Sequence, residues 1–162
     1  MAIEIERKFL VVGDAWRAAA AKRVLMRQGY MTEAGGRCSI RVRLQGVEAR
    51  LNIKAAVVGR ARAEYDYEVP VKDAHEMLDT LCVGLVDKTR HYVHGADGAL
   101  WEVDEFAGAN AGLVVAEIEL DDVEQTFARP EWLGDEVTDD HRYYNHALAL
   151  NPYRDWPERS DA

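Results

Sequence analysis

The chain has 162 residues, 48% hydrophobic and 30% charged, with a formal net charge of −9. That length makes one domain with a sizeable core. The acidic balance argues against a nucleic-acid partner, which needs a continuous basic face, but leaves room for a local basic pocket; no apolar run is long enough to cross a bilayer.

The first predicted strand covers 3–11 (IEIERKFLV), where Ile3, Ile5 and Phe9 alternate with Glu4, Glu6 and Lys8. The N-terminus runs into these acids with no signal-peptide core, so a cytoplasmic protein is expected. Residues 14–23 (DAWRAAAAKR) have the alanine content of a helix and Asp14 as a candidate N-cap. That helix either packs outside the sheet or forms a lid. Strands follow over 37–45, over 49–55 and over 62–70, the last ended by Pro70. Residues 73–82 read as a helix, with Asp73 and Glu76 at capping-box spacing. Strands over 86–94 and 99–108 form a hairpin about GADG at 95–98, and 113–121 closes the series. Helices are also predicted over 121–128 and 141–150.

The expected organisation is one domain over 1–153 and a C-terminal tail over 154–162, with Tyr153 and Trp156 able to dock. Cys38 and Cys82 read as reduced packing residues. His91 and His94 fall on opposite faces of a strand, so a joint metal site is not expected. His141 and His146 read as surface residues, Trp101 and Tyr65 as core.

Splitting each strand by parity separates an apolar face from a charged one. The charged faces are nearly single-signed. Arg41/Arg43, Lys54 and Lys88/Arg90 are basic; Glu64/Asp66, Glu102/Asp104 and Glu117/Glu119 are acidic. A sheet with one face in water gives similar alternation but usually mixes signs. The α+β class that fits is a closed antiparallel β-barrel with helices packed outside and charges inside. Such a lumen is costly to desolvate unless its charges pair or bind something. A polyanion would suit the Arg and Lys residues, and divalent cations the carboxylates. On this reading Glu4 and Glu6 hold metal and Lys8 holds phosphate beside it.

The opening E-I-E-R-K-F, then S-I-R-V-R, L-N-I-K, R-A-E-Y-D-Y-E-V-P, K-T-R, W-E-V-D-E-F and V-A-E-I-E-L, in that order, resemble the CYTH superfamily of triphosphate tunnel metalloenzymes. The resemblance extends from Met1 to about Tyr153. It implies a closed eight-stranded tunnel and a small-molecule triphosphate substrate with Mg²⁺ or Mn²⁺. Matched position by position, the metal acids are Glu4, Glu6, Glu64, Asp104, Glu117 and Glu119. The substrate cations are Lys8, Arg41, Arg43, Lys54, Lys88 and Arg90, with Tyr30 near the mouth. Asp66 stands where relatives often carry Glu. A homodimer is common in the family, though nothing in the sequence specifies one.

The motifs look closest to small bacterial triphosphatases, so hydrolysis of inorganic triphosphate is expected. The alternatives are an adenylate cyclase, a thiamine or nucleoside triphosphatase, and a non-catalytic triphosphate or polyphosphate binder. Retention of all the expected metal acids disfavours the last.

Overall fold

The computed structural model describes residues 2–157. Its strands are β1 (Ala2–Val11), β2 (Ala20–Tyr30), β3 (Cys38–Gln45), β4 (Glu48–Ala55), β5 (Ala61–Glu68), β6 (Gly84–His94), β7 (Leu100–Phe106), β8 (Val114–Glu119) and β9 (Leu133–Glu136). Three short helices join them: α1 (Trp16–Ala19), α2 (Val71–Thr80) and α3 (Asn145–Leu150). No helix among the described residues is long and apolar enough to cross a membrane.

The strands form one antiparallel sheet in the order β5-β4-β3-β2-β6-β7-β8-β1-β9, and a further β5–β1 pairing closes eight of them into a barrel. β1 is the seam. Residues 2–5 pair with β5, residues 6–10 pair with β8 on the other edge, and β9 joins at Phe9 and Val11. The expected eight-stranded barrel with a charged lumen is therefore the fold, and β9 is an appended ninth strand.

Two predicted helices are replaced by other structure. Of residues 14–23, only 16–19 are helical; the chain then enters β2, which pairs with β6 along almost its whole length. A long ladder overrides alanine's helix propensity here. β2 escapes the charge code because its polarity is reversed. Met26, Gln28 and Tyr30 are buried while Leu25 is 73% exposed. Residues 121–128 form an irregular segment, because Asp122 and Gln125 side chains accept from the Glu124 and Asp121 amides, a local competitor of the helix. That segment covers the barrel all the same: the Phe127 ring meets those of Phe9 and Trp101 edge-on at 5.9 and 5.3 Å.

The predicted helix over 73–82 begins earlier, at Val71 after Pro70, and buries Ala74 and Leu78 against Val42 and Ala49. The predicted helix over 141–150 splits into a 3₁₀ turn (His141–Tyr143) and α3. Gly84 lets α3 approach β6: a Cβ there would lie 2.6 Å from the Ala149 carbonyl oxygen. Trp101 is core as expected, fully buried. Tyr65 is not: it is 41% exposed, on β5 beside Ile53 of β4. Trp156 docks beside Tyr143 and Tyr153; residues 158–162 of the tail lie outside the described residues.

Candidate active site

Even-numbered residues of β1 point into the barrel, as do the facing residues of the other strands. They line a cavity of about 220 Å³. Glu4, Glu6, Lys8, Tyr30, Arg41, Arg43, Lys54, Glu64, Lys88, Arg90, Glu117 and Glu119, all named from the sequence, line it together. Asp104 does not. Its carboxylate accepts from Lys88 Nζ at 2.7 Å and from Arg90 Nε and Nη2 at 2.8 and 2.9 Å. Burial opposes ionisation of Asp104, but Arg90 and Lys88 prevail and hold it well below the usual carboxylate range. Glu102, two residues earlier on β7, reaches the cavity and accepts from Arg90 Nη1 at 3.2 Å.

The remaining charges pair across strands. Lys54 Nζ lies 2.7 Å from Glu4 and 3.9 Å from Glu64. Arg62 lies 3.5 Å from Glu6, and Lys8 3.3 Å from Glu117. Asp66 is drawn out of this set, accepting from Arg50 Nε at 2.6 Å and from Asn52.

Pairing is incomplete in both signs. Burial, together with the nearby Arg41 and Arg90, pushes the Arg43 guanidinium down to about 9. Burial, opposed by Asp104 and reinforced by Arg90 and Arg43, takes Lys88 down to about 7. Buried Arg41 Nε has no hydrogen-bond partner among the described residues. On the acidic side, partial burial and the crowding of Glu102, Glu4, Glu6 and Glu64 push Glu119 up to about 7. Such a site has surplus donors for an anion and surplus carboxylates for a cation.

The signature of the CYTH domain matches residues 2–147. The chain belongs to the CYTH family. It is 46% identical to an inorganic triphosphatase of Acetivibrio thermocellus, covering 98% of this chain and 100% of that one. It is 40% identical to an inorganic triphosphatase of Nitrosomonas europaea, covering 91% and 97%. The crystal structure of an inorganic triphosphatase superposes with a TM-score of 0.67 at 36% identity, covering 93% and 96%.

The donor chemistry of this CYTH tunnel fits a hard divalent cation. The cavity's acids are all carboxylates, which suit Mg²⁺ or Mn²⁺ rather than a soft metal. Glu4 Oε2 is buried and, though 2.7 Å from Lys54, makes no hydrogen bond among the described residues. Among the described residues no group of three acidic, His or Cys side chains is already arranged to hold an ion, since Glu4 and Glu6 lean on Lys54 and Arg62.

Four lining residues lie on the C-terminal segment, outside the strand motifs: His141, Tyr144, Asn145 and His146. Of the two histidines expected on the surface, His141 is exposed, as expected, at the cavity mouth, whereas His146 is partly buried, stacks on Tyr30 at 5.0 Å and bonds the Thr32 carbonyl. Gln28 and Arg62 were also unmarked in the sequence. Arg62 was legible, since it shares the parity of Glu64. Gln28 was not, because β2 carries no charge pattern.

Proposed function

We propose that this protein hydrolyses inorganic triphosphate to diphosphate and phosphate in the cytoplasm, with Mg²⁺ or Mn²⁺ as cofactor. The observation that carries this reading is the pairing of surpluses in one closed lumen. The crowded Glu119 cluster lies across the ring from Arg41, whose buried Nε finds no hydrogen-bond partner among the described residues, and from Arg43, whose Nε donates to the neutral Gln28. The near-full-length likeness to two inorganic triphosphatases supports it.

Glu4, Glu6, Glu117 and Glu119 would hold the first ion, and Glu64 a second. Asp104 would join only by giving up bonds to Lys88 and Arg90, so its part in the tunnel is to fix those two cations. When bound, the metal supplies Lewis-acid polarisation of the phosphate oxygens and an acidified water. The protein's own contribution is electrostatic. Arg41 and Arg43 present planar forks to phosphate oxygens, while Arg90, its fork taken by Asp104, adds positive charge alongside Lys8, Lys54 and Lys88. These groups neutralise charge as it develops on the leaving diphosphate. No side chain is needed as a covalent nucleophile.

The test is phosphate release from equal concentrations of inorganic triphosphate, ATP and thiamine triphosphate, with Mg²⁺ and then Mn²⁺. Glu6→Gln serves as control. Metal-dependent release from inorganic triphosphate, lost in Glu6→Gln, is expected. Preference for an organic triphosphate, or cyclic AMP formed from ATP, would replace the reading; triphosphate binding without turnover would remove the enzyme.

A further inference from the structure

Lys54 of β4 stands directly opposite Glu64 of β5 in the ladder, and Asn52 stands opposite Asp66. Directly opposed residues of opposite charge are the natural partners on a sheet face. The lumen departs from that pairing. Lys54 Nζ lies 2.7 Å from Glu4 on β1 but 3.9 Å from Glu64 Oε2. Glu64 Oε2 instead accepts from Asn52 Nδ2, its diagonal neighbour, at 3.1 Å. The same nitrogen donates to Asp66 Oδ1 at 3.3 Å.

Asn52 is 3% exposed and lines the cavity. Ionised carboxylates only accept, so the end of Asn52 between these two acids is its NH₂, with a hydrogen for each. The outer acid is itself fixed. Asp66 accepts from Arg50 Nε at 2.6 Å, and Arg50 Nη1 donates to Glu48 at 3.3 Å. Burial opposes ionisation of Asp66, but the bonds from Arg50 and Asn52 prevail and hold it below the usual carboxylate range. A chain of contacts therefore runs from Arg50, partly exposed, through Asp66 and Asn52 to Glu64 in the lumen. Asp66 acts from behind the cavity, which it does not line.

What Asn52 supplies is direction without charge. A lysine bonded to Glu64 would cancel the negative charge that a divalent ion needs. An amide donor fixes the carboxylate and leaves that charge in place. Both contacts fall on Oε2, which leaves Oε1 to face an ion. Outer hydrogen bonds of this kind orient the carboxylates that ligate metals, and losing one weakens metal binding or activity by about 10- to 100-fold.

We propose that Asn52, braced by Asp66 and Arg50, is a positioning residue that holds Glu64 ready for a divalent ion and keeps it apart from Lys54. This rests on the reading of Glu64 as a metal acid of the triphosphatase tunnel and adds the residue that aims it.

The experiment is a double-mutant cycle of Asn52→Leu and Glu64→Gln, singly and together. It is read by titration calorimetry with Mn²⁺ and by triphosphate hydrolysis at graded Mn²⁺. Leucine keeps the shape of asparagine without its donors; thermal melts establish folding, and Asn52→Ala takes its place if leucine does not fold. Asn52→Leu should weaken Mn²⁺ binding about tenfold and raise the Mn²⁺ needed for half-maximal hydrolysis by a similar factor, with the KM for triphosphate nearly unchanged. In the Glu64→Gln background the same substitution should have no further effect on Mn²⁺ binding, whereas a merely structural role would weaken it equally in both backgrounds. Wild-type Mn²⁺ binding in a folded Asn52 variant, or an equal loss in both backgrounds, overturns the proposal, as does a wild type that binds no Mn²⁺. If the wild type binds Mn²⁺ but leaves triphosphate intact, the triphosphatase reading fails, and the calorimetric cycle alone decides the role of Asn52 by the same criteria.

Discussion

Arg43 Nε donates to Gln28 Oε1 at 2.8 Å, so an uncharged, fully buried glutamine on β2 aims a guanidinium of the lumen. The same glutamine donates to Tyr30 Oη at 3.0 Å and to Asn145. Replacing it with leucine leaves a buried Arg43 donor unpaired, at a cost of about 1–3 kcal/mol. Gln28→Leu is expected to lower the melting temperature and to reduce kcat/KM for triphosphate roughly 10- to 100-fold through misplacement of Arg43. Steady-state kinetics alongside calorimetry check this; unchanged kinetics in a folded variant would show that Arg43 needs no support.

Asp104 and Glu102 should separate cleanly. Asp104→Asn strips buried Lys88 of its nearest carboxylate and leaves buried Arg90 with Glu102 alone, and breaking such a pair costs about 3–5 kcal/mol. The loss should be present without any metal. It should also fade in acid: the carboxyl is held low, so its contribution exists above its unfolded value and disappears as pH falls through the folded one. Glu102→Gln keeps the Arg90–Asp104 bonds and should cost far less stability. Urea melts of both metal-free variants across pH decide the matter.

Glu119 makes the opposite prediction. Its folded value, near 7, lies above the ordinary 4.5. The folded state therefore binds the extra proton, and stability falls as pH rises from about 4.5 towards 7 and stays lower above that. Glu119→Gln should remove this slope and stabilise the metal-free protein at pH 8 by on the order of 1 kcal/mol, once solvent screening is allowed for. It should also weaken divalent-ion binding, measured by titration calorimetry. A metal-free Glu119→Gln no more stable than the wild type at pH 8 would mean that the carboxylate crowding is relieved in solution.

Gly84 gives a test at a distance. Valine there would drive a Cβ into the Ala149 carbonyl and push α3 away from β6, carrying Asn145 with it. Overpacking of this kind costs about 1–3 kcal/mol. Gly84→Val should lose activity in proportion to the displacement of α3, read by hydrogen exchange of the α3 amides. Full activity with loosened α3 amides would free Asn145 from any part in the site.

The sequence pattern exposed those parts of the molecule where one physical rule acts alone. Strands such as β1 and β3 alternate strictly because one face meets charge and the other meets apolar side chains, so parity located Glu4, Glu6, Lys8, Arg41 and Arg43. β2 was hidden because Met26 and Tyr30 face inward while Leu25 stands outside with its arginines, so neither face is uniformly charged. Residues 121–128 misled because early acids suit a helix start and an Asx-type turn equally well. Tyr144, Asn145 and Gln28 could not be found from spacing. They are joined by contacts between segments more than a hundred residues apart, and an uncharged side chain leaves no mark in a charge pattern.

The seam at β1 bears on how the protein is made. β1 must wait for β5 along one edge and β8, ending at Glu119, along the other, and β9 joins it later still. Until then it is an unpaired edge, open to pairing with a neighbouring chain. Pairings so distant in sequence form slowly, because loop closure precedes any contact that rewards it. Glu4 and Glu6 lie on this same strand, so closure of the barrel and completion of the acidic cluster are a single event. A half-folded chain has no working site with which to act on triphosphate, and folding itself becomes the step that switches the chemistry on.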